Sequence, residues 1–140
     1  MILDLDHFKQ INDRYGHSGG DLVLCEFARR ARASIREVDF IGRYGGEEFV
    51  ILLPETVAET SLQVAERLRA AVEREPVLLP GEALHVTVSI GVSRKDEHTP
   101  DLETLVARAD QALYIAKYRG RNRVVMSGDM PVAPVKHRSR

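Results

Sequence analysis

The chain has 140 residues, 44% apolar and 29% charged, with a formal net charge of −1. That length suits one ordinary domain, and the balance excludes wholesale disorder, a fibrous repeat, a strongly basic nucleic-acid coat and a polybasic membrane binder. The longest aliphatic–aromatic run, 49–53, falls far short of the roughly 20 residues a membrane-crossing helix needs, and the start lacks the basic flank and apolar stretch of a secretory signal. A lone cysteine, Cys25, excludes a disulfide framework and a CxxC metal site, and it suits a reducing cytoplasm.

Residues 2–6 read as a short strand, with Leu3 and Leu5 on one face and Asp4 and Asp6 on the other. A polar, turn-like stretch follows over 7–20, holding one or two helical turns around 9–15. From Asp21 the spacing of Leu24, Phe27, Ala28, Ala31 and Ile35 predicts a helix that leaves Arg29, Arg30 and Arg32 to solvent. Residues 39–44 and 48–53 read as two strands joined through Gly45-Gly46, a dipeptide suited to a tight hairpin. The run 49–53 is apolar on both faces, which places it inside a sheet, and Pro54 stops it. A second helix over 57–75 turns Leu62, Ala65, Leu68 and Val72 inward, and 76–81 is a connector. Alternation over 86–92 predicts a half-buried strand. A third helix over 102–118 buries Leu105, Val106, Ala109, Leu113 and Ala116, with Gly120 as its stop. Residues 124–126 add a last strand, and 127–140 read as a flexible tail. The order predicts an α+β fold, a mainly antiparallel sheet of about five strands flanked by helices.

Four constellations carry possible chemistry. Asp4 ends one strand, and Glu47-Glu48 follow a Gly-Gly hairpin; if those strands are neighbours, the carboxylates converge and call for a hard cation such as Mg²⁺ or Mn²⁺. The ordinary alternative is an exposed hairpin with solvated acids. Lys9, Lys117 and Arg121 are suited to neutralising a triphosphate, or are plain surface charges. Asp21 can accept both donors on the edge of guanine, with Asn12 offering a donor and an acceptor beside it. Otherwise Asn12 is a turn residue and Asp21 a helix-start acid favoured by the dipole. Arg36 and Asp39, three apart, form either a local ion pair or a grip on phosphate or purine. The histidines (His7, His17, His85, His98, His137) show no metal-ligand spacing; His17 reads as a turn residue and Cys25 as a small core residue.

Together these blocks resemble the GGDEF family of diguanylate cyclases. The resemblance rests on Asp4-Leu5-Asp6-His7-Phe8-Lys9 with Asn12-Asp13, Tyr15-Gly16-His17, Gly20-Asp21, Arg36-x-x-Asp39 and Arg43-Tyr44-Gly45-Gly46-Glu47-Glu48-Phe49. It continues through Val88-Ser89-Ile90-Gly91, Ala109-Asp110, Ala112-Leu113-Tyr114, Ala116-Lys117 and Gly120-Arg121-Asn122-Arg123, in order, as far as residue 126. The resemblance implies a palm-like nucleotidyl-cyclase fold of ferredoxin-like topology over 1–126. It implies condensation of two GTP into cyclic di-GMP and two pyrophosphates, across a transient homodimer, with no DNA partner. By position, Asp4, the Leu5 carbonyl and Glu47 would bind Mg²⁺ or Mn²⁺, and Glu48 would support the metal and help deprotonate the attacking 3′-hydroxyl. Phe8, Lys9, Lys117 and Arg121 would hold phosphate, and Asn12 and Asp21 would read guanine. Gly45 and Gly46 would let the hairpin backbone pass close to the nucleotide. Arg36, Asp39 and Arg67 match an inhibitory site for the product. Glu47 stands where the family has Asp or Glu. The family also carries, ahead of the first strand, a helix and a D-x-L-T-G-L-x-N-R-type segment. This sequence starts at the strand, so the expectation is an N-terminally truncated domain whose full protein extends upstream into a sensor or receiver domain. The alternative function is a non-catalytic module that binds cyclic di-GMP or GTP as a receptor.

Overall fold

Ile2–Leu5 forms β1, the middle strand of the sheet, and every one of its side chains is buried. The computed structural model describes residues 1–128. After β1 come α1 (Phe8–Ser34), β2 (Phe40–Gly45), β3 (Glu48–Leu52), α2 (Ala58–Arg74), β4 (Val77–Leu79) and β5 (Glu82–Leu84). The chain continues with β6 (Val88–Val92), α3 (Leu102–Tyr118) and β7 (Val124–Met126). The main sheet runs β2-β3-β1-β6-β7, antiparallel throughout except for the β6–β7 pair. Without the β4–β5 hairpin, the first four strands and two helices make the split βαβ arrangement of ferredoxin-like folds. This is the expected α+β architecture with its five-stranded sheet.

The alternation in β1 decides which layer covers which face. Leu3 and Leu5 pack with Val23, Phe27, Phe49, Ile51, Leu68 and Val72 in the core beneath α1 and α2. Ile2 points the other way, onto Ala109 and Leu113 of α3. Each such aliphatic side chain contributes roughly 1.5–3 kcal/mol by leaving water. The Phe27 and Phe49 rings meet at 4.7 Å and tie α1 to β3. Asp4 shares the α3 face with Ile2, so burying β1 on both faces brings a carboxylate into a nearly closed position.

Several expectations need correction. The stretch 7–20 is helical: α1 begins at Phe8 and runs on past a break at Gly16 (φ 72°, ψ 175°). Arg30 is buried, donating to the carbonyls of Val72, Glu75 and Pro76 and so closing the C-terminal end of α2. Cys25 is exposed rather than in the core. The hairpin turn is Gly46-Glu47, not Gly45-Gly46, because Gly45 still pairs with Glu48. The connector 76–81 holds most of a small hairpin, β4–β5, and the strand expected from 86 begins at Val88. Of the expected tail, residues 129–140 lie outside the described residues.

Candidate active site

Asp4 lies near the C-terminal end of β1, with Glu48 opposite it on one neighbouring strand and Ser89 on the other. It is only 4% exposed. Lys117, reaching over from α3, donates to its Oδ2. Burial pushes the Asp4 carboxyl up to about 6; Lys117 works against that shift, and the charges of Glu47 and Glu48 add to it. Asp4 therefore feels both glutamates, and the cation it meets is an ammonium on the same chain. The turn bearing Glu47 is tied to the strand end, since Leu5 N donates to the Glu47 carbonyl at 3.4 Å.

Beside this acidic corner is a pocket of about 260 Å³. Six of the expected residues line it: Phe8, Lys9, Asn12, Asp21, Gly46 and Glu47. His7 enters the left-handed region (φ 57°) and turns the chain from β1 into α1, which starts at the pocket wall with Phe8 and Lys9. Gly20 lies beside the Asn12 side chain. A Cβ there would stand 1.9 Å from Asn12 Oδ1 and 3.2 Å from Phe8 Cζ, so any larger residue pushes the Asn12 side chain out of its place. Asp4, Leu5, Gly45, Glu48, Lys117 and Arg121 do not line the pocket. The last two stand at the end of α3, where Arg121 (φ 66°) follows the helix in a left-handed turn and its N–H donates to the Ala116 carbonyl.

Three further lining residues escaped the sequence reading: His17, Leu24 and Arg43. Arg43 donates Nε to the Gly46 carbonyl at 2.7 Å and so braces the turn that presents Glu47. Its one sequence signal was a cation three positions before Gly46. His17 follows the Gly16 break, and its role is set by a helix that the polar stretch concealed.

Among the described residues, no three His, Cys, Asp or Glu side chains stand close enough together to hold a metal ion. The donor chemistry nonetheless fits Mg²⁺ or Mn²⁺: carboxylates and a carbonyl are hard oxygen ligands, and the buried Asp4 already draws a cation.

A second cluster occupies the loop between α1 and β2, at the opposite end of β2 from Gly46-Glu47. Six strand residues separate the two, roughly 20 Å of extended chain. Arg36 forks onto Asp39 with contacts of 2.8–3.2 Å and also donates to the Pro54 carbonyl and Thr56. Those bonds hold the buried Asp39 carboxyl below its usual range. Arg67 donates to the Ser34 carbonyl at 2.6 Å, and Arg32, not foreseen, donates to the carbonyls of Glu37 and Asp39. Arg36, Asp39 and Arg67 thus meet around one loop. A larger groove, about 380 Å³, runs beside α3 between aliphatic side chains such as Val50, Leu52, Leu105 and Val106. It contains none of the expected site residues and no cluster of reactive groups.

Fold and site together define a ferredoxin-like α+β domain with a pocket beside an acidic corner, and comparison with known proteins names its family. The family model "Diguanylate cyclase, GGDEF domain" matches residues 1–123. Diguanylate cyclase A of Treponema denticola is 45% identical over 127 residues, 91% of this chain and 34% of that protein. Among solved structures, the active GGEEF domain of a diguanylate cyclase from Vibrio cholerae superposes with a TM-score of 0.85 at 40% identity, covering 92% of this chain and 81% of that one. The GGDEF domain of DgcB from Caulobacter crescentus, in complex with c-di-GMP, gives 0.85 at 35% identity, covering 90% and 75%. The chain belongs to the GGDEF diguanylate cyclase family. It spans about a third or less of the length of the first curated relatives it matches. No helix among the described residues is long and apolar enough to cross a membrane.

Proposed function

We propose that this chain is the catalytic domain of a diguanylate cyclase, condensing two GTP into cyclic di-GMP with release of two pyrophosphates. One observation carries the reading: a pocket lined by Asn12, Asp21 and Lys9 opens at Glu47, beside the buried Asp4. Asn12 and Asp21 take the guanine edge; a carboxylate there leaves adenine, which has no matching donors, unpaired. Lys9 and the backbone at Phe8 hold phosphate at the entrance of α1, helped by Lys117 and Arg121 from the end of α3. Asp4, the Leu5 carbonyl and Glu47 would hold Mg²⁺ or Mn²⁺, which when bound would neutralise phosphate charge. Lys117 leaves Asp4 for phosphate as the substrate enters. Glu48, facing Asp4 across the strands, takes the proton of the attacking 3′-hydroxyl. Retention of both Glu47 and Glu48 favours an enzyme over a receptor. The loop bearing Arg36 and Asp39, together with Arg67 reaching over from α2, takes the product, in line with the relative solved with c-di-GMP. The domain so defined covers 1–126, acts as a transient homodimer and works under an upstream sensor or receiver domain in the cytoplasm.

Incubation with GTP and Mg²⁺, followed by chromatographic separation of nucleotides, tests the proposal. Cyclic di-GMP is the expected product, and Glu47→Gln lowers its rate by at least about 10²-fold, as loss of a group that balances transition-state charge does. Near-normal synthesis by that variant at equal folded concentration overturns the assignment.

A further inference from the structure

The turn carrying Arg121 is held by groups that the mechanism does not use. Gly120, Arg121 and Asn122 all have positive φ (117°, 66° and 46°), a conformation unfavourable for non-glycine residues that persists where surroundings enforce it. Two anchors enforce it here. On the sheet side, the Asn122 N–H donates to Asp6 Oδ2 at 3.0 Å; Asp6 is 5% exposed and also accepts from Thr87 Oγ1 at 2.7 Å and Ser89 Oγ at 2.6 Å. On the helix side, the Asn122 side chain donates Nδ2 to Glu73 Oε2 at 2.7 Å and accepts from Arg69 Nη1 at 2.9 Å. Arg69 also bonds Glu73 at 2.5 Å, which closes a three-membered clasp on α2.

We infer that Asn122, clasped by Arg69 and Glu73, is a positioning residue that fixes the Arg121 turn for the triphosphate of the bound nucleotide. This rests on the functional reading above, in which Arg121 meets phosphate. The clasp touches no substrate-facing group, and it joins α2 to a turn whose other anchor is Asp6, just past the strand bearing Asp4. Loosening it lets Arg121 wander and leaves the guanine pocket, on α1, as it was.

The clasp contains both charge signs, and this separates positioning from a field effect. Arg69→Met removes a positive charge and Glu73→Ala a negative one. If these residues acted only through the electrostatic field, the first would weaken binding of a polyanion and the second would strengthen it. As positioning residues, both weaken it. The measurement is calorimetric binding of guanosine 5′-[α,β-methylene]triphosphate with Mg²⁺, with ligand-observed NMR of guanosine as the probe for the base pocket alone. Both variants are expected to lose on the order of tenfold in triphosphate affinity, part of one charge-assisted contact, with guanosine binding unchanged. Opposite signs in the two variants, no change in either, or equal losses for both ligands overturn the inference. A wild-type chain that binds neither probe overturns the functional reading itself, and this inference with it.

Discussion

At the scale of single residues, two buried acids are set in opposite directions: burial raises Asp4, and the Arg36 hydrogen bonds lower Asp39. Asp4 keeps its proton up to about pH 6 in the folded protein, against 3.8 for the ordinary side chain. Between those values the folded chain binds a proton that the unfolded chain has released, so without metal its stability falls as pH rises through this window and stays lowered above it. Asp4→Asn removes the slope. Urea melts at neutral pH without metal are expected to show the variant more stable than wild type, and added Mg²⁺ to stabilise only the wild type. A variant that still gains from Mg²⁺ places the ion elsewhere. Asp39 is the converse, a carboxylate held below its usual range chiefly by the Arg36 hydrogen bonds. Its contribution is present above its unfolded value and lost as pH falls through the folded one. Arg36→Ala therefore moves acid unfolding to higher pH and weakens cyclic di-GMP binding. Acid titration by circular dichroism and calorimetry with cyclic di-GMP read the two effects; equal product affinity in both proteins counts against the site. Both acids were legible as motif positions. Their protonation was not, because it depends on which strands and helices close over them.

At the scale of elements, the sequence reported best where one physical rule acted alone. Strict alternation gave β1 and β6, and three- and four-residue spacing gave α2, α3 and the second half of α1. The first half of α1 was hidden because Asn12, Asp13, Gly16, Gly19 and Gly20 are poor helix formers, and packing on the core through Phe8 and Ile11 overrides that preference. The β4–β5 hairpin was hidden by Pro76, Pro80 and Gly81, which read as punctuation, and by strands of only three residues. The hidden half-helix carries Lys9 and Asn12, so the pocket was legible as a set of residues but not as a shape. Its geometry yields a prediction. Gly20→Ala forces a methyl group against Asn12 and Phe8, costs about 1–3 kcal/mol as overpacking does, and displaces Asn12 from the base. Asp21→Ala removes the guanine acceptor without that steric load. Both lower the GTP-to-ATP ratio of kcat/KM, and only Gly20→Ala also lowers the melting temperature appreciably. An unchanged ratio in Asp21→Ala shows that the base is read elsewhere.

At the scale of the whole molecule, the arithmetic of the site constrains how it works. Among the described residues the sites expected to bind metal and guanine each occur once, at the Asp4–Glu47 corner and in the pocket lined by Asn12 and Asp21, whereas the proposed product needs two nucleotides, each attacked by the other's 3′-hydroxyl. Two loaded chains must therefore face each other. The described helices show no sustained heptad seam, and a formal net charge of −1 gives little electrostatic drive for or against association. The encounter of free chains then bears the whole entropic cost of bringing two partners into register. Rate per chain accordingly climbs with protein concentration. Joining a parallel two-stranded coiled coil ahead of Met1 raises the effective concentration of the partner to about the millimolar range and relieves that cost. The measurement is specific activity with GTP and Mg²⁺ across about a hundredfold dilution, a span that shifts a weak dimer from paired to separate by mass action. The expected profile falls steeply for the free chain and stays level for the fused one. A level profile in the free chain means that one chain, or a preassembled complex, completes the reaction, and catalysis across a transient pair is then wrong.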